Sequence, residues 1–349
     1  MSLPLISVLT PAYNREKYIV EAIESVQQQT IPNWEMIIVD DGSTDRTKEL
    51  VQTYQAKDSR IKLFENPKNL GISATRNHGL RHVRGIYVAM LDSDDVCLAQ
   101  RFEKQITFLD RNPQVGVLGG WAKHIGKSNR QFTPEKNDAQ LRARSLYRCP
   151  MVHSSTMIRT SVVQEGQLRY NENYPASNDY DFWVKALPFT QFHNLQEYLV
   201  QYRKHDQNIS VTHGKDQKQY RIASSYLAFQ NVLNLSLEKE AHEKLFGVLT
   251  AAFIAPSEVD TLESILKRFL EVALNNSTID HDYLLRAVYS KFVDAYQNAS
   301  LPNKIRLKFM IEHKVWKYIP IKKYYGVYGK LIAQELLRTS KPKREAKTQ

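Results

Sequence analysis

Three carboxylates lie within four positions of one another directly after a short apolar run. The run covers 86–91, and Asp92, Asp94 and Asp95 follow it. A run of this length and composition is typical of a buried strand, and carboxylates at the end of such a strand are costly unless a positive group meets them. If the strand continues, Asp92 and Asp94 point to the same side of it. The spacing predicts a site for one divalent ion that prefers oxygen ligands and keeps positions open for substrate phosphates.

The same acidic turn has a structural alternative. It could cap a helix that starts near Leu98, because carboxylates stabilise the N-terminal ends of helices. An isolated Asp-x-Asp does not decide between these interpretations, so the surrounding elements matter.

Strands and helices alternate through the first ninety residues. The predicted strands cover 5–10, 34–39, 61–64 and 86–91, and helical apolar spacing fills the intervals. This alternation predicts a mainly parallel sheet with helices on both faces, in which ligands bind beyond the carboxyl ends of the strands. Those ends carry Tyr13, Asp40, Asp41 and the Asp92–Asp94 pair, which we therefore expect to converge.

Glycine-rich phosphate loops are absent from the places where they would be expected. Residues 10–14, after the first strand, contain no glycine, which excludes a dinucleotide-binding fingerprint there. Residues 120–128 have five residues between two glycines where a P-loop needs four. The sequence therefore favours phosphates held through a metal ion on carboxylates.

The composition is that of a globular protein of about two domains. Of the 349 residues, 42% are hydrophobic and 10% aromatic, enough for a substantial core. The two cysteines, Cys97 and Cys149, form no disulfide framework, and no Cys/His spacing indicates zinc. We identify no signal peptide and no apolar run long enough to span a bilayer. The expected location is the cytoplasm, with peripheral attachment to the inner face of the cell membrane left open.

The positive charge is concentrated at the C-terminus. Residues 303–349 contain thirteen lysines and arginines against three glutamates, which accounts for most of the net charge of +11. Such a tail could bind nucleic acid or anionic lipid, or it could increase solubility. Residues 305–337 mix aromatic side chains with lysines, as in segments that lie in an anionic membrane interface. A solvated helix that packs on the rest of the protein is the alternative.

Four segments occur in an order that resembles a known family. They are 6–14, 38–45, 69–77 and 91–95. Together they closely resemble the family 2 glycosyltransferases, over roughly residues 5–210. The resemblance implies the GT-A fold, which is α/β and Rossmann-like, with a mainly parallel mixed sheet and helices on both faces. An all-α C-terminal region would follow it.

The resemblance also implies how the nucleotide is bound. Pro11, Ala12 and Tyr13 would line the nucleoside pocket. Asp41 would bond the base, with Asp40 beside it. A helix cap remains the alternative for Asp41.

A second group of implied roles concerns the diphosphate and the metal. Asp92 and Asp94 would hold Mg²⁺ or Mn²⁺ on the diphosphate, and Asp92 and Ser93 would also bind the nucleotide. Arg76 would approach the diphosphate. His205, in a basic and aromatic segment over 202–210, would be a third metal ligand, with a structural role as the alternative.

The implied catalytic residue is Asp179, as the general base on the acceptor hydroxyl. A carboxylate suits this step because the proton leaves only as the sugar becomes cation-like. The sequence departs from the family at Asn178, where Glu is usual, and Asp181 becomes a rival base. A helix cap is the structural alternative for Asp179.

The chain after residue 150 changes character. A less regular polar segment is expected over 123–148, a strand over 151–159, and only helices from about residue 215 onward. The expected domains are a catalytic domain over 1–214, a helical region over 215–300, and a basic amphipathic segment with a tail over 301–349.

The predicted function is that of an inverting, hexosyltransferase-type enzyme. It would move a sugar from a nucleoside diphosphate donor, a UDP-sugar, to a glycan or lipid-linked acceptor in polysaccharide or glycolipid biosynthesis. An anionic membrane surface would be a further partner, and nucleic acid would not. A non-catalytic sugar-nucleotide binder or assembly partner is the alternative, because Asn178 replaces the usual Glu.

Overall fold

The computed structural model describes residues 3–206, 208, 217–251, 254–299, 301 and 303–319. The chain forms two compact units. The first contains the residues up to Leu237 together with Asn275–Asp280, and the second contains Glu238–Leu274 and the described residues from His281 onward. None of the helices in these described ranges has both the length and the apolar character needed to cross a bilayer.

The first part of the first unit alternates strands and helices as predicted. The elements are β1 (Ile6–Ala12), α1 (Ile19–Gln27), β2 (Trp34–Asp40), α2 (Thr47–Lys57), β3 (Ile61–Glu65), α3 (Ile72–Leu80) and β4 (Tyr87–Met90). Every residue of β1, β2 and β4 is buried, as expected for strands of a parallel sheet covered on both faces.

The second part of the first unit mixes strand directions. Its elements are β5 (Val96–Cys97), α4 (Arg101–Arg111), β6 (Val115–Gly126), β7 (Gln131–Phe132), α5 (Asp138–Ser145), β8 (Met157–Arg159), α6 (Thr160–Glu165), α7 (Asn178–Ala186), β9 (Gln191–Lys204) and α8 (Gln217–Leu233). A single turn of 3₁₀ helix precedes β8 at His153–Ser155.

The sheet runs in the order β3-β2-β1-β4-β8-β6-β9-β5, and β7 pairs with β6 at its side. The pairs among β3, β2, β1 and β4 are parallel, and so is the β6–β9 pair. β8 is antiparallel to both of its neighbours, and β5 is antiparallel to β9. The predicted fold class, a mainly parallel mixed sheet with helices, is confirmed.

Two expectations for the middle of the chain are wrong in detail. The segment expected to be irregular over 123–148 contains the end of β6, all of β7 and the helix α5. The expected strand over 151–159 is confined to Met157–Arg159. β6 continues because β9 supplies a partner as far as Lys204, and α5 begins where the Asn137 side chain accepts a hydrogen bond from the Gln140 N–H.

The second unit is helical over its described residues. Its helices are α9 (Lys239–Ala251), α10 (Val259–Leu274), α11 (His281–Asn298) and α12 (Asn303–Glu312). In α10 the buried residues Leu262, Leu266, Phe269 and Ala273 recur at helical spacing, which gives the helix one apolar face. The all-α C-terminal region is thus confirmed. The domain limits at 214 and 300 remain predictions, and residues 320–349 of the basic segment lie outside the described residues.

Candidate active site

The carboxyl ends of three neighbouring parallel strands meet at one edge of the sheet. The register aligns Ala12 with Asp40, and Leu9 with Met90. Beyond these ends lies a cleft of about 520 Å³. The predicted site residues on its described wall are Pro11, Ala12, Tyr13, Asp41, Arg76, Asp92, Ser93 and Asp94. Asp40, Asp179 and His205 are not part of that wall.

The loop after β1 is tied to the loop after β2. Asn14 adopts a left-handed conformation with a φ of 51°, and its side-chain oxygen accepts from the Thr44 N–H at 2.9 Å. The N–H of Asn14 donates to the Ser43 hydroxyl at 3.0 Å. Tyr13, which is 39% exposed, is therefore held at the rim of the cleft by backbone geometry on either side.

Asp41 holds the loop that precedes α3. Its carboxylate accepts from the backbone N–H groups of Leu70 and Gly71, both at 2.9 Å, and from the Asn66 amide at 2.7 Å. Each carboxylate oxygen can accept more than one hydrogen bond, so these contacts are compatible with the predicted contact to the base.

Asp40 points into the protein beside this loop. One of its oxygens accepts from the Ser43 N–H at 3.0 Å, and the other is buried with no hydrogen-bond partner in the described structure. Asp40 shapes the turn after β2 and lies behind the wall of the cleft.

A buried arginine fixes the end of β4. Arg101 is fully buried, and its guanidinium donates to the carbonyl oxygens of Met90 and Thr156 at 3.0 and 2.9 Å. The N–H of Asp92 donates to the Ser154 hydroxyl at 3.3 Å. These bonds hold the backbone from which the acidic turn leaves the strand.

Arginines meet the carboxylates of this turn inside the cleft. Arg76 donates to Asp92 at 2.6 Å, and the Nε of Arg15 lies 3.4 Å from an oxygen of Asp94. Burial acts to raise the pKa of Asp92, but the nearby Arg76 and His153 leave that pKa below its ordinary value. The centre of the cleft therefore holds two carboxylates and two guanidinium groups. The guanidinium groups supply the positive charge that buried carboxylates require.

Asp95, the third carboxylate of the acidic turn, differs from Asp92 in the direction of its pKa shift. It is buried, and burial together with the charges of Asp94 and Asp92 raises its pKa well above the usual value. Its Oδ1 accepts from the backbone N–H of Arg203 at 2.8 Å. Asp95 therefore joins the acidic turn to β9.

His205 lies against Asp94, behind the cleft. Its Nε2 is 2.9 Å from an oxygen of Asp94, and its ring stacks on Tyr18 at 4.9 Å between centroids. Arg203 donates to the Asp94 carbonyl at 2.9 Å and forms an ion pair with Glu21. Both side chains thus support the turn that carries Asp94.

The donor types around Asp94 suit a hard divalent ion, because carboxylate oxygens with one imidazole nitrogen are ligands that Mg²⁺ and Mn²⁺ accept. However, the described residues include no group of three or more acidic, His or Cys side chains that is arranged to hold a metal. Asp92 faces Arg76, whereas Asp94 faces Arg15 and His205. The metal assignment of Asp92, Asp94 and His205 stays a prediction.

Asp179 lies at the start of α7, where Ser177 is the N-cap residue in a left-handed conformation. Since Asp179 is the second helical residue, it is not the cap of this helix. One of its oxygens is 3.8 Å from the Cys149 sulfur. Burial raises the pKa of Asp179, and the positive charge of Arg76 opposes that rise.

Asn178 explains how the site accommodates the departure from the family pattern. Its side-chain oxygen accepts from Arg76 at 2.6 Å, so Arg76 bridges Asn178 and Asp92. A neutral amide oxygen keeps the hydrogen bond to the guanidinium without adding a charge. Arg76 thereby connects the acidic turn to the helix that carries Asp179.

Asp181 is a weak rival for the role of base. It is buried and forms an ion pair with Lys185 at 2.6 Å. Burial raises its pKa, and Lys185 counteracts the rise. Two residues along a helix correspond to a rotation of roughly 200°, so Asp181 faces away from Asp179.

Two residues near the site were not predicted. Arg15 lies in the loop after β1, and only its position beyond a strand end could have indicated it. Cys149 reaches Asp179 across thirty positions of the chain. No local pattern could have shown that contact.

Comparison with known proteins identifies the family. The model of glycosyl transferase family 2 matches residues 7–166. An uncharacterised glycosyltransferase of Methanocaldococcus jannaschii is 34% identical over 227 residues, which cover 63% of this chain and 78% of the relative. The chain belongs to glycosyltransferase family 2. It is accordingly a transferase enzyme, and the predicted family is confirmed.

This glycosyltransferase has further relatives of known name or structure. A putative teichuronic acid biosynthesis glycosyltransferase of Bacillus subtilis, TuaG, is 46% identical over 106 residues, or 30% of this chain and 42% of TuaG. The crystal structure of S. aureus TarS residues 1–349 in complex with UDP-GlcNAc superposes with a TM-score of 0.58. The match covers 88% of this chain and 92% of that one at 20% identity, which shows a common fold and confirms the GT-A prediction.

Proposed function

We propose that this glycosyltransferase moves a sugar from a UDP-sugar to a glycan or lipid-linked acceptor, with inversion at the sugar, in polysaccharide or glycolipid biosynthesis. The UDP-GlcNAc complex of TarS and the teichuronic acid role in the name of TuaG support the donor and the pathway class.

The observation that carries the proposal is the charged centre of the cleft. Arg15 and Arg76 lie in the cleft wall with Asp92 and Asp94, beyond the ends of β1 and β4. Guanidinium groups bind phosphates through paired hydrogen bonds, and carboxylates bind divalent ions. A nucleoside diphosphate needs both kinds of partner.

Asp92 and Asp94 would hold Mn²⁺ or Mg²⁺, with His205 as a third ligand. Such an ion neutralises the negative charge that develops on a leaving diphosphate. Arg76 and Arg15, now paired with these carboxylates, would then be available to the phosphate oxygens. Tyr13 and Asp41, which also line the cleft, would bind the nucleoside.

Asp179 would take the proton from the acceptor hydroxyl. The carboxylate is half-buried beside the Cys149 thiol, and its raised pKa makes it a stronger base than an exposed aspartate. Direct displacement of the diphosphate by the activated hydroxyl inverts the configuration at the sugar. One carboxylate is enough for this scheme, which agrees with the pairing of Asp181 to Lys185.

A panel of sugar-nucleotides tests the proposal without knowledge of the acceptor. UDP-, GDP-, ADP- and CDP-sugars are incubated with the purified protein and Mn²⁺ or Mg²⁺, and the released nucleotide is measured. We expect slow release from a UDP-sugar that stops when a chelator is added. Release from another nucleotide alone would overturn the choice of donor. Binding without release, even with a broad acceptor extract, would support a non-catalytic binder.

A further inference from the structure

A short segment of the chain passes directly beside the proposed base. Cys149 contacts Asp179 through its sulfur. Just before it, the Leu146 carbonyl accepts a hydrogen bond from Ser225 of α8, and the Ser145 carbonyl accepts one from Tyr180 of α7. These contacts fix the segment between α7 and α8, beside Asp179.

Arg148 belongs to this segment and adjoins Cys149. Its backbone N–H donates to the Arg144 carbonyl at 2.9 Å, so the last turn of α5 continues into it. The Arg148 side chain is exposed, and its guanidinium has no hydrogen bond or ion pair with any residue that the structure describes. Arg148 is next in sequence to Cys149, which contacts the proposed base. The Cα atoms of Arg148 and Cys149 are therefore roughly 3.8 Å apart.

Three further arginines act electrostatically on Arg148. Partial burial lowers its pKa, and the positive charges of Arg144, Arg221 and Arg130 lower it further. These arginines come from α5, α8 and the connection between β6 and β7. Arg144 donates to the Cys149 carbonyl at 3.0 Å and pairs with Glu135, so its place in the cluster is fixed.

Like charges repel each other, so the positive potential of these arginines favours an anion beside Arg148. Several other arginines of the first unit meet a carboxylate. Those in ion pairs include Arg15, Arg46, Arg60, Arg76, Arg84, Arg142 and Arg203. Arg148 has no such pair among the described residues, and it is next in sequence to Cys149, which contacts the proposed base. A site of this charge is suited to an anion, because guanidinium groups bind phosphate and carboxylate through paired hydrogen bonds.

We propose that the acceptor carries a phosphate or carboxylate group next to the hydroxyl that receives the sugar, and that Arg148 binds this group. Arg144, Arg221 and Arg130 supply the surrounding positive potential. This inference rests on the proposed function, since it takes Asp179 to mark the position of the accepting hydroxyl. It adds the chemical class of the acceptor, which neither the family nor the cleft defines.

The test compares three labelled polymers of similar length: poly(glycerol phosphate), polyglucuronate and dextran. Their dissociation constants are measured by fluorescence anisotropy on the 349-residue chain, with UDP and Mn²⁺ present. We expect at least one of the anionic polymers to bind more tightly than dextran. The tighter of the two tells whether the group is a phosphate or a carboxylate.

The variants Arg148→Gln and Arg148→Lys show whether Arg148 is responsible. We expect Arg148→Gln to weaken binding of the preferred anionic polymer about fivefold at low salt, as for a solvent-exposed ion pair, and to leave dextran unaffected. Arg148→Lys keeps the charge and should stay within about twofold of wild type. Arg111→Gln is the matched control, because it removes one exposed arginine charge from α4, away from this segment.

Two results would overturn the inference. One is that neither anionic polymer binds better than dextran. The other is that Arg111→Gln weakens binding as much as Arg148→Gln, which would indicate only net charge. The binding comparison decides this inference. Nucleotide release from the UDP-sugar without acceptor, measured separately on wild type, decides the proposed function.

Discussion

Arg76 is the residue on which the two halves of the proposed site depend. It donates to Asp92 at the end of β4 and to Asn178 at the start of α7. Since hydrogen bonds of charged groups contribute about 1.5–3 kcal/mol each, removal of the guanidinium disturbs both the acidic turn and the helix that carries Asp179.

The first prediction concerns the variant Arg76→Gln. We expect kcat/KM for the donor to fall about 10- to 100-fold, because the loss of a charged hydrogen-bond donor corresponds to this factor. Steady-state kinetics of nucleotide release measure it. Arg46→Gln, which removes an exposed arginine paired with Glu49, is the control and should behave as wild type. Equal activity of the two variants would contradict the role of Arg76.

The second prediction is the pH dependence of transfer. Burial raises the pKa of Asp179 above the ordinary aspartate value of 3.8. A general base must be deprotonated, so activity should rise with pH through this raised pKa and then level off. The acidic limb of the kcat/KM profile should therefore lie above pH 3.8. A profile that is flat from pH 4 to pH 7 would contradict the assignment.

At the scale of elements, the turn after β2 shows how backbone conformation constrains the site. Gly42 has a φ of +71°, and a Cβ added there would lie 2.8 Å from the backbone of Lys68. Gly71 has a φ of +89°, but a Cβ there would meet nothing within 4 Å. Both glycines have a positive φ, and they differ in the space around them.

This difference gives the third prediction. Gly71→Ala should lower the free energy of unfolding by about 1 kcal/mol, because the left-handed conformation disfavours a side chain. Gly42→Ala should lower it by about 1–3 kcal/mol more, because the backbone of the neighbouring loop must also move. Urea denaturation of both variants measures the two costs. Equal losses would show that the turn relaxes freely.

The sequence indicates local elements well and distant contacts poorly. The predicted strands at 34–39 and 61–64 lie within one residue of the observed ends of β2 and β3, because short segments rich in apolar side chains and bounded by turn residues are typical of strands. In contrast, the continuation of β6 to Gly126 depends on pairing with β9. The hydrophobic pattern of residues 123–148 does not indicate that pairing.

The same distinction holds for the site. Asp41 and the Asp92–Asp94 pair could be placed because parallel strands bring their carboxyl ends together. The Arg76–Asn178 hydrogen bond spans 102 positions, and the Cys149–Asp179 contact spans 30. Both result from tertiary packing of α7, which the sequence pattern does not specify.

At the scale of the whole molecule, ligand binding should stabilise the fold by mass action. The fourth prediction is that UDP with Mn²⁺ raises the melting temperature, because both bind the folded state, and that a chelator reverses most of the rise. At a ligand concentration 100 times the dissociation constant, the gain is about 2.7 kcal/mol. Differential scanning fluorimetry measures it, and Asp92→Asn should abolish the metal-dependent part. A metal-independent shift of the same size would contradict the assigned ligands.

The basic C-terminal segment gives the fifth prediction. A chain truncated after Ile319 should lose binding to vesicles that contain anionic lipid, because each lysine or arginine near such a surface contributes about 1 kcal/mol. Vesicle sedimentation at low and high salt measures this, with neutral vesicles as the control. Nucleotide release should remain. Unchanged binding to anionic vesicles would place the membrane contact elsewhere in the chain and contradict the role of this segment.

The most direct test of the central claim compares Asp179→Asn with Asp181→Asn and wild type. Donor dissociation constants and nucleotide release are measured with the donor that the panel identifies. We predict that Asp179→Asn binds the donor within about threefold of wild type but releases nucleotide about 10²- to 10⁴-fold more slowly, as expected for loss of a general base. Asp181→Asn should retain most of its release activity. Normal release by Asp179→Asn, or a larger loss in Asp181→Asn, would contradict the account.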